Sequence, residues 1–167
     1  MSDITRAAFL SAQLRSEAQK TRRHLERLPD EHWSWKPHEK SSSLGQLASH
    51  LVDCLHFARS VFSEDRSNID LSTWRPFRAA SREALLAAYD EAVSQALMAM
   101  ASHADQEARG TWEMAVNGTV RMRRDRESAF ADMTLHHLIH HRGQLTVYLR
   151  LLDVPVASTY GPTADES

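Results

Sequence analysis

Long amphipathic stretches alternate with short breaks along this chain. Apolar residues recur every three to four positions in its first part, which is typical of helices with one buried face. The pattern predicts helices from Ile4 to Leu28, from a Ser43 cap to about Phe62, and from about Ser81 to about Ser102. Pro29 ends the first helix, and Ser43 with Gln46 has the spacing of a capping box at the start of the second.

The pattern changes between Thr111 and Met122, where apolar and polar residues alternate on both sides of Asn117-Gly118. Asn-Gly between alternating segments is a strong signal for a β-hairpin, because both turn residues need a positive φ. A last helix is predicted from an Asp125 cap to about Leu152. The segments between these elements, 31–42 and 63–80, are predicted loops, and the tail after Val156 is predicted to be irregular.

These elements predict an all-α fold, an up-and-down four-helix bundle with a small β-hairpin insertion before the last helix. A length of 167 residues fits a single domain over 1–167, with 42% hydrophobic and 25% charged residues close to the average for globular proteins. Functional sites in such bundles are built from side chains that project inward.

Charge and cysteine content narrow the class of protein. Twenty Lys and Arg against 22 Asp and Glu give a net charge of −2, which does not favour a nucleic-acid partner. The single cysteine, Cys54, forbids an intramolecular disulfide and fits a reducing compartment. With neither an apolar leader nor a membrane-length apolar run, the sequence predicts a cytoplasmic protein with no membrane partner.

Ten histidines stand out in this composition, and four of them lie between His136 and His141. Residues four apart share a helix face, so His136/His140 and His137/His141 are two possible chelating pairs. With His137 at zero, His141 falls at about 40°, which we interpret as the middle of the apolar stripe of this helix. His136 and His140 fall on its flank, where they are solvated or support the site from outside.

His50 lies on the inward half of the second helix by the same phase argument, so a third histidine is available. Together, His50, His137 and His141 predict a divalent-metal site with open coordination positions. Cys54, one turn beyond His50, is a possible soft ligand. We interpret it instead as a small buried apolar thiol.

The tryptophans leave two interpretations open. Trp33, Trp35 and Trp74 lie in the predicted loops, where they line a substrate pocket or cap the core beneath those loops. Capping of the core is the simpler interpretation.

Three segments together resemble the DinB/YfiT-like family of small helical metalloproteins. They are 43–51 (SLGQLASHL), 137–144 (HLIHHRGQ) and the tail containing 154–156 (VPV) and 160–166 (YGPTADE). The resemblance implies a four-helix bundle that is often a homodimer, with nickel or zinc held by His50, His137 and His141. It also implies, for several relatives, transferase or isomerase activity that depends on a low-molecular-weight thiol.

Three alternative functions are therefore expected for this protein, the first two of them acting on a small-molecule substrate. The first is a thiol S-transferase, in which the metal lowers the pKa of a thiol. The second is a metal-dependent hydrolase, with Asp53 as the nearest candidate base for an activated water. The third is a non-catalytic metal-binding or stress-response protein whose histidines stabilise the bundle.

Overall fold

A computed structural model describes residues 5–102 and 110–167. Its helices are α1 (Arg6–Leu25), α2 (Leu44–Ser63), α3 (Arg82–Ala101), α4 (Arg126–Phe130) and α5 (His137–Leu151), with a π-helical turn over Ala131–His136 and a short 3-10 turn at Asp30–His32. The helix cores fall where the pattern predicts them, whereas the predicted start at Ile4 lies outside the described residues. None of the described helices is both long and apolar enough to cross a membrane.

The helices enclose one large apolar core. α1 and α2 each pack against both α3 and α5, so they lie opposite each other across the bundle although they are consecutive in the chain. Large side chains that are fully buried in this core include Leu14, Leu51, Phe62, Tyr89 and Phe130. The continuous stretch from α4 through the π-helical turn to α5 carries the histidine window along one side of α2.

The predicted fold class, an up-and-down bundle with a small β-hairpin insertion, is wrong in its β part. The strands β1 (Arg66–Ile69), β2 (Thr111–Val116) and β3 (Thr119–Asp125) form a three-stranded mixed sheet in the order β1-β2-β3. β2 and β3 are the predicted antiparallel pair, and Asn117 and Gly118 have the positive φ angles of 48° and 78° that their turn requires. β1, from the predicted loop, adds to β2 in parallel.

The sequence pattern does not predict β1, and the reason is physical. Ile69 is the single large apolar residue of this strand, which therefore lacks a hydrophobic alternation. Its ladder also joins it to a partner more than forty residues away. Asn68 fixes the junction, because its Oδ1 accepts a hydrogen bond of 2.9 Å from the amide of Gly118 in the hairpin turn.

The start of α2 is fixed by the predicted capping box. The Gln46 amide donates to Ser43 Oγ at 3.2 Å, and the Ser43 amide donates to Gln46 Oε1 at 2.9 Å. Trp33 packs across this turn and donates through its indole nitrogen to the Ala79 carbonyl at 2.9 Å. The ring lies so close to Gly45 that a Cβ there would be 2.3 Å from Trp33 Nε1.

We therefore expect Gly45→Ala to lower the free energy of unfolding by about 1–3 kcal/mol, because the indole must leave its position. Gly143→Ala is the matched control, since a Cβ on that helical glycine meets no atom of the described structure within 4 Å. The control should be neutral or stabilising, by up to about 1 kcal/mol. Urea denaturation measures both changes, and equal stability of the two variants would contradict the close contact.

Candidate metal centre

Three histidine rings meet between α2 and α5. The ring centroids of His50 and His137 are 5.0 Å apart, those of His50 and His141 4.8 Å, and those of His137 and His141 4.6 Å. His50 Nε2 lies 3.3 Å from His137 Nε2. The structure thus brings together the three histidines that helical phase selects.

Each ring also has a polar partner behind it. His50 Nδ1 lies 3.3 Å from a carboxylate oxygen of Asp53, and His141 Nδ1 lies 2.6 Å from Gln144 Oε1. For His137, burial lowers the pKa of the ring, while the backbone of Met133 acts in the opposite direction. Acceptors on the Nδ1 side fix the tautomer with a bare Nε2 lone pair, which is how histidines that ligate a metal are usually oriented.

One of the three inner nitrogens lacks a hydrogen-bond partner among the described residues, and the other two face each other. His141 Nε2 is buried and has no hydrogen-bond partner among the described residues. His50 Nε2 and His137 Nε2 face each other at 3.3 Å, so two neutral rings that both carry their proton on Nδ1 would bring two lone pairs together there. Nitrogens of a tetrahedral zinc site are also about 3.3 Å apart, given Zn–N bonds of about 2.0–2.1 Å. The spacing of the His50 and His137 nitrogens therefore fits a divalent ion, and the His141 ring packs beside both of them.

Cys54 is closer to the histidines than its interpretation as an apolar core thiol implies. Its Sγ and ring nitrogens of His50 and His137 all lie within 4.8 Å of one another, so this His-Cys-His group could hold a metal ion. The thiol is buried, and burial raises its pKa to about 12. Without a cation beside it, Cys54 is therefore a neutral thiol, and a thiol is a much weaker metal ligand than a thiolate.

Burial on α5 differs from the prediction. The fully buried side of this helix is formed by Leu138, Arg142, Leu145 and Leu149, whereas Leu151 is exposed. His137 and His141 are half-buried at the edge of that side and not in its middle. The apolar stripe misplaces the buried side because that side includes Arg142, which a hydrophobic pattern does not count. As a consequence, the histidine cluster lies at the rim of the bundle, where small molecules can reach it.

The other two histidines of the window lie on the exposed flank of the cluster. His136 and His140 are exposed, as the phase predicts. The His140 ring lies 4.9 Å from that of His141, and His136 Nδ1 lies 3.5 Å from a carboxylate oxygen of Asp132. Both histidines are therefore surface residues that flank the site.

Two further residues position the site, and one of them has no signal in the sequence. The buried Thr134, in the π-helical turn, donates to the Cys54 carbonyl at 3.1 Å and so fixes α2 against the histidine segment. Asp53, the candidate base of a hydrolase, accepts from the Phe77 amide at 3.1 Å in addition to its contact with His50. Both of its oxygens thus have partners behind the histidines, where Asp53 orients His50.

A cavity of about 540 Å³ opens beside the cluster. His50 and His141 form one side of it, and Trp74 and Pro76 from the loop before α3 form another. Tyr148 lines it from α5, with its hydroxyl donating to the Ser42 carbonyl at 3.1 Å. Trp74 is therefore a pocket residue, whereas Trp33 packs on the core at the start of α2.

The cluster makes the stability of the metal-free protein depend on pH. Burial, followed by the charges of neighbouring histidines, lowers the pKa of His141 to about 4. Between this value and the ordinary 6.5, the unfolded chain binds more protons than the folded one, so the free energy of unfolding falls as pH drops from about 6.5 to about 4. Urea denaturation of metal-free protein should show this loss, and His141→Gln should reduce it. An unchanged pH dependence in His141→Gln would contradict the assignment.

Comparison with known proteins agrees with this fold. A sequence model of the DinB family matches residues 1–167. The structure is similar to a DinB-like protein from Bacillus cereus ATCC 10987, with a TM-score of 0.73 and 20% identity over 94% of this chain and 99% of that one. A DinB-like protein from Bacillus subtilis (YjoA) is similar with a TM-score of 0.67 and 18% identity, over 95% of this chain and 98% of that one. No curated protein matches the sequence. At such identities the structural likeness shows the fold alone.

Proposed function

The chain belongs to the DinB family, and from that premise we propose that it is a metal-dependent thiol S-transferase. His50, His137 and His141 would hold one divalent ion, nickel or zinc, beside the cavity. The observation that carries this proposal is the packing of the three rings, whose centroids lie 4.6–5.0 Å apart, with outer-nitrogen partners in Asp53 for His50 and Gln144 for His141.

A divalent ion at these nitrogens would lower the pKa of a thiol in the cavity and supply thiolate at neutral pH. The S–H bond breaks and its proton passes to solvent. The sulfur then forms a bond to the electrophilic carbon of the substrate, and the leaving group departs with the electron pair of the bond that breaks. Asp53 and Gln144 keep the rings of His50 and His141 oriented, while Trp74 and Tyr148 give the cavity an aromatic wall.

The lining of the cavity supports thiol transfer over hydrolysis. Hydrolysis needs a base beside the attacking water, whereas a thiol that is already ionised needs none. Among the described residues that line the cavity there is no carboxylate, and the oxygens of Asp53 contact His50 and the Phe77 amide.

The test uses tag-free protein loaded with zinc or nickel. Loss of free thiol is followed with a panel of small thiols and alkylating electrophiles, in wild type and in His141→Ala, with His140→Ala as the control that keeps the cluster. We expect thiol consumption that depends on the metal and on His141 and is unchanged in His140→Ala.

Two other results would overturn the proposal. Metal-dependent cleavage of esters or amides without thiol consumption would indicate the hydrolase. A protein that binds metal but consumes no thiol, and whose cobalt spectrum does not change on titration with azide or thiols, would be a closed, non-catalytic metal protein.

A further inference from the structure

One cation lines the cavity beside the histidine cluster. Among the described residues that line it, Arg78 is the single Lys or Arg. Its guanidinium donates to the carbonyl of the preceding residue, Phe77, at 2.6 Å and forms no ion pair with a described carboxylate. The cavity therefore presents a positive charge whose fork of donors has capacity for an anion.

The backbone on both sides of Arg78 is fixed to α2. The Phe77 amide donates to Asp53 Oδ1 at 3.1 Å, and the Ala79 amide donates to Ser49 Oγ at 3.0 Å. Asp53 and Ser49 are buried residues within three positions of His50, which projects from the same helix. The backbone of Arg78 is thus held at a fixed position relative to the histidines, although its side chain is exposed.

The kind of anion follows from the remaining donors. Phosphate sites usually combine several cations with free amides at a helix N-terminus. At the start of α2 the amides of Leu44, Gly45 and Gln46 already donate to the Trp35 carbonyl, the Trp33 carbonyl and Ser43 Oγ. One guanidinium without free amides suits a carboxylate, which arginine binds through two parallel hydrogen bonds.

We propose that Arg78 binds the carboxylate of a small organic acid in the cavity, and so determines specificity for a carboxylate-bearing thiol or electrophile. The apolar part of that molecule would pack between Trp74, Pro76 and Tyr148, with its reacting end toward His50 and His141. This inference rests on the proposed function, because it assigns the substrate class of the same site.

Two matched pairs of probes distinguish the two sources of the carboxylate. Binding of 3-mercaptopropionate and 3-mercapto-1-propanol to cobalt-loaded protein, followed by absorption, tests a carboxylate on the thiol. Binding of 3-phenylpropionate and 3-phenyl-1-propanol to metal-free protein, followed by tryptophan fluorescence, tests a carboxylate on the electrophile. We expect the acid to bind about tenfold or more tightly than the alcohol in at least one pair.

The control lies in the same loop. Arg75→Gln removes one positive charge close to Arg78, but Arg75 does not line this cavity, so the preference for the acid should persist. Arg78→Gln should bring the ratio of the two dissociation constants close to one, and Arg78→Lys should keep part of the preference.

The outcomes separate this inference from the proposed function. An equal preference in wild type and Arg78→Gln, or no preference in either pair, overturns the role of Arg78 and leaves the metal site intact. Tighter binding of phenyl phosphate than of 3-phenylpropionate contradicts a carboxylate site. Failure of wild type to bind cobalt contradicts the proposed function. In that case the binding of 3-phenylpropionate and 3-phenyl-1-propanol to metal-free protein still decides whether Arg78 binds carboxylates.

Discussion

His141→Ala is expected to lower the affinity of the protein for zinc by on the order of 100-fold or more. The change removes an Nε2 that is buried without a hydrogen-bond partner among the described residues and lies in the ring cluster with His50 and His137. Loss of a direct ligand should exceed the 10- to 100-fold cost that is typical of losing an outer partner of a ligand. Competition with a chromophoric chelator at pH 7 measures the affinity.

Cys54→Ser is the decisive companion variant, because Cys54 and His141 compete for the role of third ligand. If the three histidines hold the ion, removal of the Cys54 thiol should lower zinc affinity by no more than the roughly 10- to 100-fold that is typical of losing an outer partner of a ligand. His140→Ala, which removes an exposed neighbouring ring, should also retain the affinity. If Cys54→Ser loses zinc while His141→Ala keeps it, the site is His50, Cys54 and His137, and the three-histidine assignment is wrong.

Arg142→Met is expected to lower the free energy of unfolding by about 3 kcal/mol, because it removes the buried cation beside the Glu17 carboxylate and leaves the partly exposed Lys20 as its remaining partner. The guanidinium lies within the bundle, where Nη2 is 2.7 Å from Glu17 Oε2 and 2.7 Å from the Tyr160 hydroxyl. Nη1 donates to Thr21 Oγ1 at 3.3 Å. Hydrogen bonds from Lys20, Tyr160 and Arg142 outweigh burial and hold the pKa of Glu17 below its ordinary value.

Chemical denaturation of three variants isolates this effect. Arg150 lies in the same helix as Arg142 and pairs with Asp165 at the surface. Arg150→Met should therefore lower the free energy of unfolding by at most about 1 kcal/mol. The double variant Glu17→Gln, Arg142→Met removes both charges and should be more stable than Arg142→Met alone. A single Arg142→Met variant that is as stable as wild type would contradict a structural role for the buried pair.

The sequence predicts the parts of the fold that local chemistry determines. The capping box at Ser43 and the Asn117-Gly118 turn depend on residues within a few positions of each other, and both form as predicted. The convergence of His50, His137 and His141 also follows from helical phase, because the two α5 histidines lie together beyond the π-helical turn.

The features that local patterns miss depend on distant partners. β1 forms through a ladder to β2, and Arg142 is buried because Glu17 and Tyr160 provide partners for its charge. Similar contacts attach the C-terminal segment that resembles the DinB family to the helices, since Tyr160 donates to Glu17 and Asp165 pairs with Arg150. A hydrophobic pattern cannot reveal such pairs, because it counts every arginine as a surface residue.

Zinc X-ray absorption on tag-free, reconstituted protein tests most directly whether three imidazole nitrogens hold one divalent ion, because it reports which atoms surround the ion. We expect one zinc per chain with nitrogen neighbours at about 2.0–2.1 Å and the multiple-scattering pattern of three imidazoles. A sulfur neighbour at about 2.3 Å, or no zinc retained after reconstitution, would contradict it.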